Sequence, residues 1–393
     1  VKSLFEQIDM DHVINNTLDL VKIQNTAGNT IEVAEVYERL LKEAGFSVEK
    51  HEFIENNPTL IGRYQGNTES KGKTLIFNGH MDVITLQHDP PYVENGKIYG
   101  RGTCDMKGSL ASILEVARVL RNSNISVDGE IIVVANSMHE SPGGRGEDLL
   151  AMSETINLEA DAAIVMEGAT YECTIAQLGS ATFNITIERN GEPSHQLYTP
   201  DSIPHPIAVL ADVVQALEQA NEELKEKRIE DIGHGSYFIG NVQSGSFYNQ
   251  MPKYSFIEGV RRYGPNDSFE DVQKQMIEIL NKVGDKHGVK IYLDIKKVRD
   301  GYRIKKEDDT IKALLDSVRK VRGIDLPLVG KKLVTDAGIF VNEMDIPTIC
   351  YGPDQNRAHA EVEYVEINEL KKTINVYLQF IHNYLGVEIG IQS

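Results

Sequence analysis

The chain lacks a cysteine framework. It holds three cysteines, Cys104, Cys173 and Cys350, scattered over 393 residues. The number is odd and none lies in a Cys-x-x-Cys pair, so neither a disulfide scaffold nor a thiolate zinc site is expected. Long apolar runs are missing too, and none approaches the roughly 20 residues a membrane span needs. The first residues, Val1-Lys-Ser-Leu-Phe-Glu6, have no apolar centre of the signal-peptide kind. A cytoplasmic protein with no membrane partner is the expectation. Positive charge is scarce: 40 Lys and Arg stand against 59 Asp and Glu, for a net charge of −19. The phosphates of a nucleic acid or an anionic membrane would repel such a chain, whereas metal cations suit it.

Several catalytic signatures are also missing. His139-Glu140 is not followed by a second His at the spacing of a zincin helix. No Gly-x-Ser-x-Gly elbow exists. Gly102-Thr-Cys-Asp-Met-Lys-Gly-Ser109 has Lys and Gly in the wrong order for a phosphate loop, and Gly143-Gly-Arg-Gly146 is too short for a dinucleotide fingerprint.

What is present is an ordinary globular composition, 41% hydrophobic and 25% charged, at a length that favours two domains. Residues 4–24 read as an amphipathic helix. Residues 30–44 read as another, with Asn29 as N-cap, Glu32 completing a capping box and Gly45 just past the end. Ser47–Phe53 and Thr59–Tyr64 alternate like strands of a meander. Thr74–Asn78, Gly129–Asn136 and Asp161–Glu167 are continuous apolar runs of the buried type. A helix over 107–122 and a short one after residue 146 separate them, which is the α/β signature. Near Gly179 the style changes. Ala181–Glu188 alternates, a long helix covers 206–227, and strands near 236–242 and 254–262, a helix at 268–284 and a strand at 289–297 follow. That order, β-α-β-β-α-β, is the ferredoxin-like α+β pattern. Helices 308–322 and 335–343, strand Pro347–Tyr351 and helix 366–384 return to the first style. The expected organisation is an α/β domain with a central mixed sheet, residues 1–178 and 299–393, interrupted by an inserted domain at 179–298.

The polar residues of interest lie where apolar strands stop. His80 and Asp82 follow Thr74–Gly79. Asp105 sits in a glycine-bracketed turn before the helical pattern Leu110, Ile113, Leu114, Ala117, Leu120. Glu140 follows one buried strand, Glu167 ends the next, and His359 lies in the loop after 347–351. Each alone fits a bland role, as a helix cap, a solvated strand end or a loop histidine. Together they gather at the carboxyl ends of strands that read as parallel, where open α/β sheets place ligands. Two imidazoles with carboxylates make a cation site, with zinc favoured. Asp82 suits a supporting role, holding the His80 ring through its other nitrogen.

These segments resemble the zinc-dependent family of acetylornithine deacetylase, succinyl-diaminopimelate desuccinylase, aminoacylase and glutamate carboxypeptidase. The likeness runs in order along nearly the whole chain: Gly-His80-Met-Asp82-Val, Gly-Arg-Gly-Thr-Cys-Asp105-Met-Lys-Gly, the Glu140 loop with Gly-Gly, Glu167, Gly-Glu-Pro-Ser-His195, and Ala-His359 followed by Glu363. The resemblance implies a zinc-peptidase-like catalytic domain with two metals and an inserted dimerisation or lid domain. By it, Asp105 bridges the metals, His80 and Glu167 complete one position, and His359 serves the other. Glu140 is then the general base that takes a proton from the attacking water and returns it to the leaving nitrogen. His195 is implied to reach the partner subunit's site and stabilise the oxyanion. Asn249 and Arg262 are implied to hold a substrate carboxylate, with Arg261 as the adjacent alternative, since strand register is not readable from sequence.

The chain departs from that family at one loop. Two consecutive acidic residues are usual there, the base and then a metal ligand, and here the second is Ser141. The family's Asp before the base is replaced by His139. The expectation is therefore one tight zinc position and a second that is weak or empty, with cobalt or manganese as alternatives. The expected activity is metal-dependent hydrolysis of a small N-acyl amino acid or related amide, with a dipeptidase or carboxypeptidase as runner-up. A binding protein that kept the fold and lost the chemistry is the reading from another class. A homodimer built on the inserted domain is the expected assembly.

Overall fold

The computed structural model describes residues 2–66, 72–123, 125–140, 144–168 and 170–389. The chain divides into two compact units. The first comprises Val1–Ile175, Ile304–Val329 and Thr335–Ser393, and the second comprises Ala176–Arg303 and Gly330–Val334.

In the first unit, helices α1 (Met10–Val21) and α2 (Ile31–Ala44) precede β1 (Ser47–Ile54), β2 (Asn57–Gln65) and β3 (Lys73–His80). Then come α3 (Gly108–Asn122), β4 (Gly129–Asn136), α4 (Glu147–Thr155), β5 (Ala162–Val165) and β6 (Cys173–Gln177), whose last two residues are the first of the second unit. The strands lie in the order β1-β2-β4-β3-β5, followed by a later strand, Thr348–Cys350, and then β6. β3 pairs in parallel with β4 on one side and β5 on the other, β5 pairs in parallel with Thr348–Cys350, and the flanking strands are antiparallel. The sheet is therefore mixed. Its parallel centre is built from the continuous apolar runs, because helices cover both faces of such strands. Strand order reverses at β3, and the carboxyl end of a strand at that switch point is where such sheets bind ligands. β3 ends in His80.

In the second unit, β7 (Gly179–Glu188), α5 (Pro206–Glu226), β8 (Ser236–Ser244), β9 (Tyr254–Tyr263), α6 (Phe269–His287) and β10 (Lys290–Arg299) follow in turn. The sheet order is β8-β9-β7-β10, all antiparallel. Phe183, Ile185 and Ile257 on one sheet face pack with Val213, Leu217, Met276 and Leu280 of the helices. The chain then returns to the first unit with α7 (Asp309–Arg322), α8 (Ala337–Met344), β11 (Thr348–Cys350) and α9 (Ile367–Tyr384).

Two sequence expectations fail at the amino end. The helix expected over 4–24 is two helices, Lys2–Phe5 and Met10–Val21. Asp9 interrupts them: its carboxylate accepts from the N–H groups of Asp11 and His12, and its own N–H goes to Glu115 Oε1 at 2.6 Å. Asn29 is not the N-cap of α2. Thr30 holds that position without a side-chain cap bond, and its hydroxyl donates to Ser137 Oγ at 2.6 Å instead. Gly45 does end α2, at φ 106°, in the left-handed region that favours glycine.

Among the described residues no helix is long and apolar enough to cross a membrane.

Candidate metal centre

Strand β3 delivers His80 because Gly79 lets the layer above close in. A β-carbon at Gly79 would lie 2.8 Å from Leu110 Cδ2 and 2.9 Å from Met106 Cε. His80 is fully buried, and its Nδ1 lies 2.9 Å from the Asp82 main-chain oxygen. A carbonyl only accepts, so Nδ1 carries the proton and Nε2 faces the site. Nε2 is 3.1 Å from Asp105 Oδ1 and 3.7 Å from Glu167 Oε2.

The loop of Asp105 is held from two sides. Glu363 Oε1 accepts the N–H groups of Cys104 at 3.1 Å and Asp105 at 3.2 Å, and Glu363 Oε2 accepts from buried Arg101 at 2.9 Å. Lys107, also buried, donates to Leu20 O, Ile23 O and Asn25 Oδ1. Burial pulls its pKa down to about 7, and those three acceptors give it a structural task. Ser109 Oγ donates to Met166 O at 2.8 Å, which ties the start of α3 to the strand end that carries Glu167.

The Asp82 carboxylate is engaged differently from expectation. His80 Nδ1 donates to the Asp82 main-chain oxygen, and Oδ1 lies 3.6 Å from the same nitrogen. Oδ2 accepts the N–H of Glu140 at 2.8 Å and of His139 at 3.1 Å. Asp82 thus fixes the loop that presents Glu140. Glu140 Oε1 is 3.2 Å from His359 Nε2, which is also 3.2 Å from Asp105 Oδ2. His359 holds φ 61°, which costs a non-glycine residue about 1 kcal/mol or more.

His80, Asp105, Glu140, Glu167 and His359 are therefore brought together. His80, Asp105 and Glu140 present ligand atoms that all lie within 4.8 Å of one another, and so do His80, His139 and Glu167. Asp105 sits between His80 and His359, one carboxylate oxygen towards each. The electrostatics call for positive charge. Burial lowers the His80 pKa, but Asp105 and Glu167 outweigh it and drive the net shift well upward. His359 is pushed up to about 10 by its bonds to Asp105 and Glu140. Burial opposes a proton on His139, yet Asp336 and Glu167 push it up to about 9. Asp105 is held well below the usual carboxylate range, since His359 and His80 overcome its burial. Among the described residues, buried Glu167 Oε1 has no hydrogen-bond partner. Imidazoles that favour protons, a shared carboxylate and an orphaned oxygen fit divalent cations.

The remaining expected residues belong to the second unit. His195 is exposed, with Nε2 3.3 Å from Asn249 Nδ2. Arg262 lies opposite Ser180 and Ser236, half-buried, and its buried Nη1 has no hydrogen-bond partner. Arg261 lies opposite Ala181 and Tyr237, buried, with its guanidinium carbon 4.5 Å from the Tyr237 ring centre. The register therefore puts the two arginines on opposite faces of the sheet. Ser141 lies outside the described residues.

Sequence reasoning missed Asp336 and Gln355. Asp336 Oδ1 lies 3.1 Å from His139 Nδ1. A Thr-Asp pair before a helix reads as a cap, but Asp336 makes no side-chain cap bond. Gln355 Nε2 reaches Asp105 Oδ1 at 3.3 Å and Cys104 O at 3.2 Å. No spacing signal marks it.

The chain is similar in sequence and in fold to known proteins. A sequence model of peptidase family M20/M25/M40 matches residues 76–383. The chain is 27% identical over 388 residues to a succinyl-diaminopimelate desuccinylase of Rickettsia bellii (strain RML369-C), covering 94% of this chain and 96% of that protein. Its fold is similar to aminopeptidase PepT from Bacillus cereus ATCC 10987, with a TM-score of 0.80 at 20% identity, over 96% of this chain and 99% of that one. It is also similar to the YXEP protein of Bacillus subtilis, described as a dinuclear metal binding peptidase, with a TM-score of 0.71 at 13% identity, over 98% and 99% of the two chains.

Proposed function

The chain belongs to peptidase family M20/M25/M40 and is an amidohydrolase, and on that premise we propose that it cleaves a small N-acyl amino acid or related amide with a bound divalent metal. The observation that carries this reading is the convergence of His80, Asp105, Glu167 and His359 on one cluster, with the Glu140 carboxylate facing it. Peptide hydrolysis, as a dipeptidase or carboxypeptidase, is the second reading, favoured by the likeness to an aminopeptidase.

His80, Asp105 and Glu167 would hold one cation, and Asp105 with His359 a second. A cation there lowers the pKa of water and polarises the scissile carbonyl. Glu140, fixed through its N–H by Asp82, takes the proton of the attacking water and passes it to the leaving nitrogen. The imidazoles favour zinc, with cobalt and manganese as substitutes. Ser141, where the family's second carboxylate is expected, supports a weak or empty second position.

Residues 1–178 and 299–393 form the catalytic part in this reading, and 179–298 a dimerisation or lid domain. His195 would stabilise the oxyanion in the partner copy's site, while Asn249 and Arg262 bind a substrate carboxylate. Support for an apolar partner comes from Leu197, Tyr198, Phe247 and Tyr248, near His195 and Asn249 in sequence and 73%, 84%, 59% and 90% exposed. The half-buried guanidinium of Arg262, with an unpartnered Nη1, suits an anion.

The test is chelated protein assayed with N-acetyl, N-succinyl, N-formyl and N-carbamoyl amino acids beside dipeptides, before and after zinc, cobalt or manganese is returned. Metal-restored cleavage of one acyl class supports the first reading, and cleavage of dipeptides alone selects the second. Hydrolysis that persists in full after complete metal removal sinks both.

A further inference from the structure

We infer that Arg261 anchors a binding site for a small oxyanion, a carboxylate or a phosphate group, built from residues of the second unit alone. Arg261 is 2% exposed. Its strand partners Ala181 and Tyr237 belong to the apolar core that the helices of this unit cover, so its side chain is on the helix-covered face of the sheet. A charged side chain is almost never buried without a partner, because taking a charge out of water is costly. Among the described residues Arg261 forms no ion pair, and its buried Nε has no hydrogen-bond partner. Its Nη1 donates to the Arg262 main-chain oxygen, and the Tyr237 ring centre lies 4.5 Å from the guanidinium carbon. A carbonyl dipole and a ring face both favour a cation, but neither carries net charge. The counter-charge is left for a ligand to supply.

The structure has room for one. Arg261 lines a cavity of about 260 Å³ with Lys227, Arg228, Gly235, Asp267 and Gln275. Gly235 makes space beside the guanidinium, since a β-carbon there would lie 2.9 Å from Arg261 Nη1. Lys227 and Arg228 come directly after α5, are exposed, and pair with no acidic side chain among the described residues. Three cations therefore line the cavity with one carboxylate, Asp267, whose Oδ2 already accepts the Gly264 N–H at 2.9 Å. An oxyanion takes two parallel hydrogen bonds from one edge of a guanidinium, and a lysine adds a point charge. The cavity is smaller than the roughly 300–1,000 Å³ of sites for drug-sized ligands, so it fits one carboxylate or phosphate group on a short stem. It is not the substrate-carboxylate site proposed for Arg262, because that residue lies on the opposite face of the sheet.

The test is calorimetry and thermal unfolding of the full chain in sodium phosphate and in sodium succinate, against sodium chloride at equal ionic strength, with and without prior metal chelation. Wild type should bind one anion per chain with a Kd below about 1 mM, and the tighter of the two salts identifies the group. That binding should survive chelation and raise Tm above its value in chloride. Arg261→Met keeps the bulk and removes the charge; it should weaken binding by about 30-fold or more and abolish the rise in Tm. Lys227→Ala with Arg228→Ala, on the surface, should weaken binding by about tenfold. Arg262→Met should leave it unchanged. No binding of either anion by wild type, at concentrations where that Kd predicts saturation, overturns the inference. So does unchanged binding in Arg261→Met, or binding that is lost on chelation or in Arg262→Met. Should Arg261→Met fail to fold, unchanged binding in the Lys227→Ala, Arg228→Ala protein overturns the inference instead.

Discussion

Glu363→Gln should weaken both the fold and the metal site, and the structure sets the size of each effect. Glu363 and Arg101 are each 1% exposed, and their ion pair closes at 2.9 Å. Among the described residues Arg101 also donates from Nε to Leu86 O at 3.1 Å, and its buried Nη2 has no hydrogen-bond partner. Neutralising Glu363 therefore strands a buried guanidinium. Removing one partner of such a pair costs about 3–5 kcal/mol. Gln keeps an acceptor for the Cys104 and Asp105 N–H groups, so the cost should sit near the lower end, about 3 kcal/mol. In an Arg101→Met background the same change should cost less than about 1 kcal/mol, because no charge is left behind. The coupling, about 2 kcal/mol, is read from a double-mutant cycle on denaturant unfolding of the metal-free protein. Because Glu363 also holds the N–H of Asp105, the single variant should bind the first metal about 10–100-fold more weakly. A Glu363→Gln protein within about 0.5 kcal/mol of wild type, or a coupling that small, would refute the argument that this pair anchors the Asp105 loop.

Glu140→Gln should keep its metal and lose at least about 100-fold in kcat, since the amide cannot take the proton; retention within about tenfold, or about 1.4 kcal/mol of barrier, excludes Glu140 as the base. Metal affinity should rise with pH and level off above the imidazole range, because in the metal-free protein the neighbouring carboxylates hold the His80 pKa well above its ordinary value against the effect of burial, and that of His359 at about 10. Below those values a cation must displace their protons, so calorimetry in buffers of different ionisation enthalpy should show proton release at pH 7.5; affinity that does not change with pH counts against the imidazoles as ligands. Ser141→Glu should tighten the second metal equivalent, and two equally tight equivalents in wild type would show that another group replaces the missing carboxylate. Mixing inactive His195→Ala with inactive Glu140→Gln should restore activity in exchanged dimers; no recovery with exchange demonstrated removes the trans role of His195.

What could be read from the sequence follows from how local each signal is. The buried strands were legible because a strand covered on both faces is a continuous apolar run, and Gly129–Asn136 is found with its expected bounds. Strand ends follow from strands, so His80, Glu140, Glu167 and His359 could be placed at one edge of the sheet before any coordinates. Signals that depend on a distant partner failed. The α2 start reads as a capping box at Asn29, but the Thr30 hydroxyl is drawn to Ser137, 107 residues away. Asp9 breaks the expected first helix with the help of Glu115, 106 residues on. The same limit applies inside the site. A ligand can be guessed from its place on a strand, but the group that orients it comes from anywhere in the chain. Asp336 reaches His139 from the start of α8, Glu363 grips the Asp105 loop from 258 residues away, and Gln355 touches Asp105 from 250 residues away. His139 shows the consequence. In the sequence it is only a substitution next to the base. Its stacking on His80, its approach to an unpartnered Glu167 oxygen and the carboxylate behind it exist only after the strand ends have met.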